Sequence, residues 1–181
     1  MFGQKNRIYK KVIKDGFLSC LSGGEFSKLT IKDICAEAGI NRSTFYLHYH
    51  RLDDVLEQLL DEAFSEVGTM FDQYDEAPAQ EPCRYPLCRF IREKERYKPI
   101  FLDNSLSEYL IGKMACYFKA DYIRRISARG EFSPADAETI FWFQIHGCFA
   151  SALRNIDKSD AEWRQMKNTI DTFLWKDPGG K

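Results

Sequence analysis

The chain has no apolar run near 18 residues, so no segment is suited to cross a membrane as a helix. Its start, Met-Phe-Gly-Gln-Lys-Asn-Arg, lacks the apolar region of a signal peptide, and a cytoplasmic protein is expected. There are only three histidines: His48 and His50 lie two apart, and His146 is distant. No Gly-rich phosphate loop, nucleophile elbow or His-Glu-x-x-His pattern occurs, so neither an enzyme nor a resident cofactor is expected. Cys83 and Cys88 have no second Cys/His pair nearby to complete a zinc site, and no metal is expected; a redox role for the pair stays open. In a reducing compartment the six cysteines read as free thiols. No internal repeat and no convincing polar–apolar alternation is present, which leaves an all-α fold. The net charge of −1 does not advertise a polyanion partner for the chain as a whole.

The distribution of charge is more informative. Residues 1–56 hold nine Lys/Arg against six Asp/Glu, and residues 57–181 hold seventeen against twenty-one. A mildly basic end thus precedes an acidic body, on a chain long enough for one long domain or two small ones. In residues 5–21, Ile8, Val12, Ile13, Phe17, Leu18 and Leu21 recur at helical spacing, with Lys5, Lys10, Lys11 and Lys14 between them. Most of these lysines read as a solvated face. Gly23-Gly24 ends this helix. A long helix is predicted over 52–71, with Asp53 and Asp54 favouring its dipole, and a loop over 73–82. Further helices are predicted near 84–97, 104–128, 134–155 and 160–175. Pro99 interrupts the first two, and Ser133 caps the third with Pro134 at its first position.

The most informative stretch is 30–50. Ile31, Ile34, Cys35 and Ala38 make one apolar face of a short helix. Thr30 with Asp33 resembles a capping box, and Gly39 stands where a left-handed residue ends the helix. Small Ala36 and Ala38 allow a close helix crossing. Asn41 caps a second helix, with Ile40 able to fasten its start to the core. There Phe45 and Tyr49 share an inward face, while Arg42, Ser43, Thr44 and Tyr46 fall on the others, with groups suited to groove edges and phosphates. The amides at the start of that helix also favour a phosphate. Two short helices around a glycine also occur in bundles that never touch DNA.

Thr30, Ile31, Ile34, Cys35, Ala38, Gly39, Ile40, Thr44, Phe45, Tyr46, His48 and Tyr49 together resemble the signature of the TetR family of transcriptional regulators. The match covers about the first third of the chain. The Leu-His-Tyr form, the following Leu-Asp-Asp and Tyr97-Lys-Pro-Ile-Phe101 are similar to a branch that includes dihydroxyacetone-kinase regulators. Two positions depart from the pattern. Cys35 replaces the usual alanine, and Leu52 stands where members often carry a phosphate-touching lysine, with Arg51 just before it.

The resemblance implies a three-helix, helix-turn-helix DNA-binding head over 1–51 and a helical effector-binding and dimerisation body over 52–181. The first helix would pack across the turn unit, and the fourth would link head to body. Residues expected to face DNA are Thr30, Lys32, Asn41, Arg42, Ser43, Thr44, Tyr46, His48, Tyr49 and Arg51. The implied partners are a double-stranded, palindromic DNA operator, a second copy of the chain and a small-molecule effector, with no membrane. The implied role is a repressor modulated by that effector. The implied dimer forms through the last two helices, with Phe141, Ile145, Phe149, Leu153, Trp163, Ile170, Phe173 and Leu174 as candidates. The effector candidates are Tyr97, Tyr109, Tyr117, Tyr122, Trp142 and His146; aromatics at helical spacing are more often plain core. The competing reading is a helical protein-interaction or coactivator protein of the same fold that does not read DNA by itself.

Overall fold

The structure is a computed structural model. It describes residues 2–74, 86–128 and 130–175, with side chains for 5–68, 88–128, 130–170 and 172–173. The described residues are helical, with no strand: α1 (Phe2–Ser22), α2 (Ile31–Glu37), α3 (Arg42–Tyr46), α4 (Leu52–Tyr74), α5 (Pro86–Glu93), α6 (Lys98–Leu102), α7 (Ser107–Ser127), α8 (Pro134–Arg154) and α9 (Asp160–Trp175). Short 3₁₀ turns occupy Phe26–Lys28, Glu95–Tyr97 and Asn104–Leu106. The all-α expectation is met.

Packing groups the chain into two compact units, Met1–Ser65 with Glu95–Ala115, and Glu66–Lys94 with Cys116–Lys181. The first unit thus takes in the start of α4 and residues 95–115, whereas the sequence suggests a division of roles after residue 51. Its core is built from Ile13, Phe17, Leu18 and Leu21 of α1, Ile34 and Cys35 of α2, and Phe45 of α3. Val55, Leu56, Leu59, Leu60 and Phe64 of α4 join them, with Ile100, Phe101, Leu106 and Leu110 from the later segment. Each fully buried large apolar side chain contributes about 1.5–3 kcal/mol relative to exposure.

Local chemistry sets the helix ends in this unit. The Thr30 hydroxyl accepts from the Asp33 amide at 3.3 Å, and the Asp33 carboxylate accepts from the Thr30 amide at 3.0 Å. That reciprocal pair is a capping box. At the other end of α2 the Gly39 amide donates to Ala36 O and the Ile40 amide to Cys35 O, a Schellman closure with Gly39 at φ 63°. A Cβ added at Gly39 would meet nothing within 4 Å, so Gly39→Ala tests backbone strain alone. The expected loss is about 1 kcal/mol, read from the urea midpoint. A loss of several kcal/mol would mean that the turn is held by something else.

α1 and α2 approach closely at one point. A Cβ on Gly16 would lie 3.1 Å from the Ala38 Cβ. Ala38 therefore serves the close crossing, while Ala36 is exposed and does not. Lys14 also departs from the expected solvated face. It is buried, and its ammonium pairs with Glu62 of α4. Asp103 is buried too, where its carboxylate accepts from the Phe26 amide at 2.6 Å and from the Ser105 amide at 2.8 Å.

In the second unit α5 packs on α8, and Cys88, Ala152 and Trp163 form an apolar cluster with Cys148 and Met166 against it. The Arg92 guanidinium lies over the Trp163 ring, 4.7 Å from its centroid, and donates to Lys158 O and Asp160 Oδ1. Ser133 caps α8 with Pro134 in its first turn, as expected, and Asp136 completes a second capping box there. Pro99 corrects an expectation: it stands in the first turn of α6 and starts a helix, because a missing N–H costs nothing there. The predicted 84–97 helix is accordingly shorter, ending at Glu93. Cys83 and most of the 73–82 segment lie outside the described residues.

Candidate nucleic-acid interface

α3 is only five residues long and is held from both ends. Asn41 Oδ1 accepts from the Thr44 amide at 2.7 Å and from its hydroxyl at 2.9 Å. Phe45 is fully buried, with its ring centroid 5.7 Å from that of Tyr46 and 6.0 Å from that of Tyr49. Tyr49 follows the helix and is only 4% exposed. Its hydroxyl donates to Gln58 Oε1 of α4 at 2.6 Å, and the Lys10 ammonium of α1 lies 5.5 Å from its ring centroid. Burial, with a smaller push from the Glu62 charge, raises that hydroxyl to about 12, so it stays a neutral donor. His48 stacks on Tyr9 of α1 at 5.6 Å, and its Nδ1 is buried with no hydrogen-bond partner among the described residues.

With Phe45 and Tyr49 turned inward, the opposite face of α3 is in solvent. Arg42, Ser43, Tyr46 and Leu47 are all exposed, and 43, 46 and 47 share one face by their spacing of three and four. Of the residues expected to face DNA, Thr30, Lys32, Asn41, Arg42, Ser43, Tyr46 and Arg51 are exposed, and Thr44 and His48 are half-buried. Tyr49 is placed in the core and joins α3 to α1 and α4 instead of pointing outward. Thr30 and Asn41 have their side chains engaged in capping. Arg51 stays largely in solvent, 3.8 Å from Asp54, whose carboxylate accepts from the His50 and Arg51 amides and is held below the usual carboxylate range by those bonds.

Leu47 was not among the expected residues, although its place four after Ser43 puts it on the outward face. The Cys35 thiol is pushed up by burial, against a smaller opposing effect of Arg42, which fits a packed apolar role for it.

The effector candidates are divided between the two units. Tyr97 is buried in the first unit. Tyr109, also in that unit, donates its hydroxyl to Glu57, whose other oxygen accepts from Lys113. Desolvation works to raise the Glu57 carboxyl, and the hydrogen bonds from Lys113 and Tyr109 outweigh it, so the net shift is downward. The other four belong to the second unit. The Tyr122 hydroxyl donates to Gln144 Oε1 at 2.5 Å, and its ring lies 5.3 Å from Phe141. Trp142 contacts Phe141 and His146, and His146 Nδ1 is 2.9 Å from Trp142 O. Tyr117 is exposed.

The dimerisation candidates divide by helix face. Phe141, Ile145 and Phe149 recur every four residues on the inner face of α8, and they and Trp163 are buried within the second unit. Leu153 and Ile170 are half-buried, Phe173 is 74% exposed, and the Leu174 side chain lies outside the described residues. The outward face of α8 carries Phe143, Gly147 and Ala150 instead.

No group of His, Cys, Asp and Glu that could hold a metal ion is found among the described residues, and no helix there is long and apolar enough to cross a membrane. Comparison with known protein families, with curated proteins and with solved structures finds no match to this chain.

Proposed function

We propose that the chain is a sequence-specific DNA-binding transcriptional regulator that presents the outward face of α3 to the major groove. The observation that carries this reading is the division of α3 itself. Phe45 and Tyr49 anchor it, while Arg42, Ser43 and Tyr46 are left in solvent with groups that suit base edges and phosphates. Lys32 and Arg51 add exposed positive charge on the flanking segments. In this reading the chain acts as a homodimer, so that two such faces meet successive major grooves roughly 34–36 Å apart on a palindromic operator. A small effector bound by residues 52–181 would modulate affinity, and repression is the expected outcome.

Arg42→Ala and Tyr46→Ala test it. Both side chains are exposed, so the helical content of the variants should match the parent. Each should weaken operator binding by about ten-fold in a gel shift with nonspecific competitor, the loss of one good contact. Binding of the parent should also fall steeply as salt rises. Unchanged affinity in both variants removes the assignment. The alternative, a protein-interaction module of the same shape, predicts no specific, salt-sensitive shift at all.

A further inference from the structure

Leu47 is the most exposed large apolar side chain among the described residues, at 79%. It lies at the C-terminal end of α3, on the face shared with Ser43 and Tyr46, and its amide donates to Ser43 O at 3.2 Å. The buried Phe45 and Tyr49 flank it and fix the backbone that carries it. A leucine so placed gains nothing from the fold of its own chain.

We infer that Leu47 is a specificity-determining residue that packs on the C5 methyl of a thymine in the major groove; this rests on the DNA reading above. The chemistry of the groove selects the occupant. Of the groups on base-pair edges there, only the thymine methyl is apolar, while the others are hydrogen-bond donors or acceptors. An isobutyl group pressed on an amino group, a carbonyl or a ring nitrogen strips its water and returns no hydrogen bond. Leu47 therefore favours thymine and disfavours cytosine at one position in each half-site.

The surroundings favour nucleic acid over a protein partner. Segment 28–51 carries Lys28, Lys32, Arg42 and Arg51 against Asp33 and Glu37. Asp33 accepts from Thr30 and Glu37 from the Ser19 hydroxyl at 2.7 Å, bonds that leave both charged. Lys28 pairs with Glu25 at 2.9 Å and Arg51 lies 3.8 Å from Asp54, so the positive charge nearest the patch is that of Arg42 and Lys32. The apolar patch is Leu47 beside Tyr46, bordered on α3 by polar Arg42 and Ser43. That is far smaller than the roughly 800 Å² per partner of a stable protein interface.

The test begins with selection of binding sites from random duplex DNA by the purified full-length chain. Each thymine of the enriched motif is then replaced singly by uracil, which removes only the methyl. At one position per half-site the parent should lose about four-fold in affinity, the share of one buried methyl. Leu47→Ala should bind the thymine motif more weakly than the parent, with unchanged circular dichroism, and should no longer distinguish thymine from uracil there. An enriched motif with no uracil-sensitive position, or a Leu47→Ala variant that keeps the full thymine preference, overturns the assignment while the DNA reading stands. Leu47 would then belong to a contact with protein. Failure to enrich any motif at low or moderate salt overturns both.

Discussion

Phe45→Ala should lower the stability of the first unit by about 3–5 kcal/mol, the usual cost of a buried phenylalanine replaced by a methyl group. Phe45 is fully buried and contacts the Tyr46 and Tyr49 rings. A five-residue helix has almost no stability of its own, since its nucleation cost is spread over hardly more than one turn. What keeps α3 in place is its packing and the Asn41 cap, and the cap supplies only about 1 kcal/mol. Domain stability is of the order of 5–15 kcal/mol, so the substitution should consume a large share of it. Urea denaturation followed by far-ultraviolet circular dichroism would show a markedly earlier transition. Leu47→Ala, two residues on but exposed, should shift the midpoint by no more than about 0.5 kcal/mol. A Phe45→Ala variant as stable as Leu47→Ala would mean that α3 is not anchored through this ring.

That contrast between neighbours two residues apart also shows what a sequence can carry. The capping box at Thr30, the Ser133 cap and the left-handed Gly39 were legible because their partners lie within four residues. The inward turn of Phe45 followed from periodicity for the same reason. Lys14 was misread because its partner, Glu62, is 48 residues away, and no local pattern marks a lysine as buried. Pro99 was ambiguous in principle, since the same missing N–H that breaks a helix interior is harmless in a first turn. α8 is apolar on nearly every side. Its periodicity does not separate the inner row of Phe141, Ile145 and Phe149 from the outer row of Phe143, Gly147 and Ala150. Leu47 differs: its spacing of four from Ser43 is a local signal for the outward face, and it was passed over because it offers no hydrogen-bonding group. The structure adds the extent of its exposure, 79%.

Asp103→Ala should cost the first unit about 3 kcal/mol, and it tests a bond that no local pattern announces. Asp103 is 7% exposed, and its carboxylate accepts three hydrogen bonds from two places. One oxygen takes the Phe26 amide at 2.6 Å; the other takes the Ser105 amide at 2.8 Å and the Ser105 hydroxyl at 2.6 Å. The turn after α1 is thus tied to the turn before α7, across 77 residues of chain. Hydrogen bonds to a charged group contribute about 1.5–3 kcal/mol, and a partly buried amide left without an acceptor adds its own penalty. Ser105→Ala removes the hydroxyl contact alone and should cost about 1 kcal/mol. Asp103→Asn keeps the shape but turns one acceptor into a donor facing an N–H, so its loss should fall between the two. The decisive reading is hydrogen exchange at the Phe26 amide. It should be protected in the parent and in Ser105→Ala, and should exchange far faster in Asp103→Ala under conditions where the helices remain protected. Persistent protection of that amide without the carboxylate would show that the loop is held by its own 3₁₀ turn, and that α1 and the α7 segment are joined by apolar packing alone.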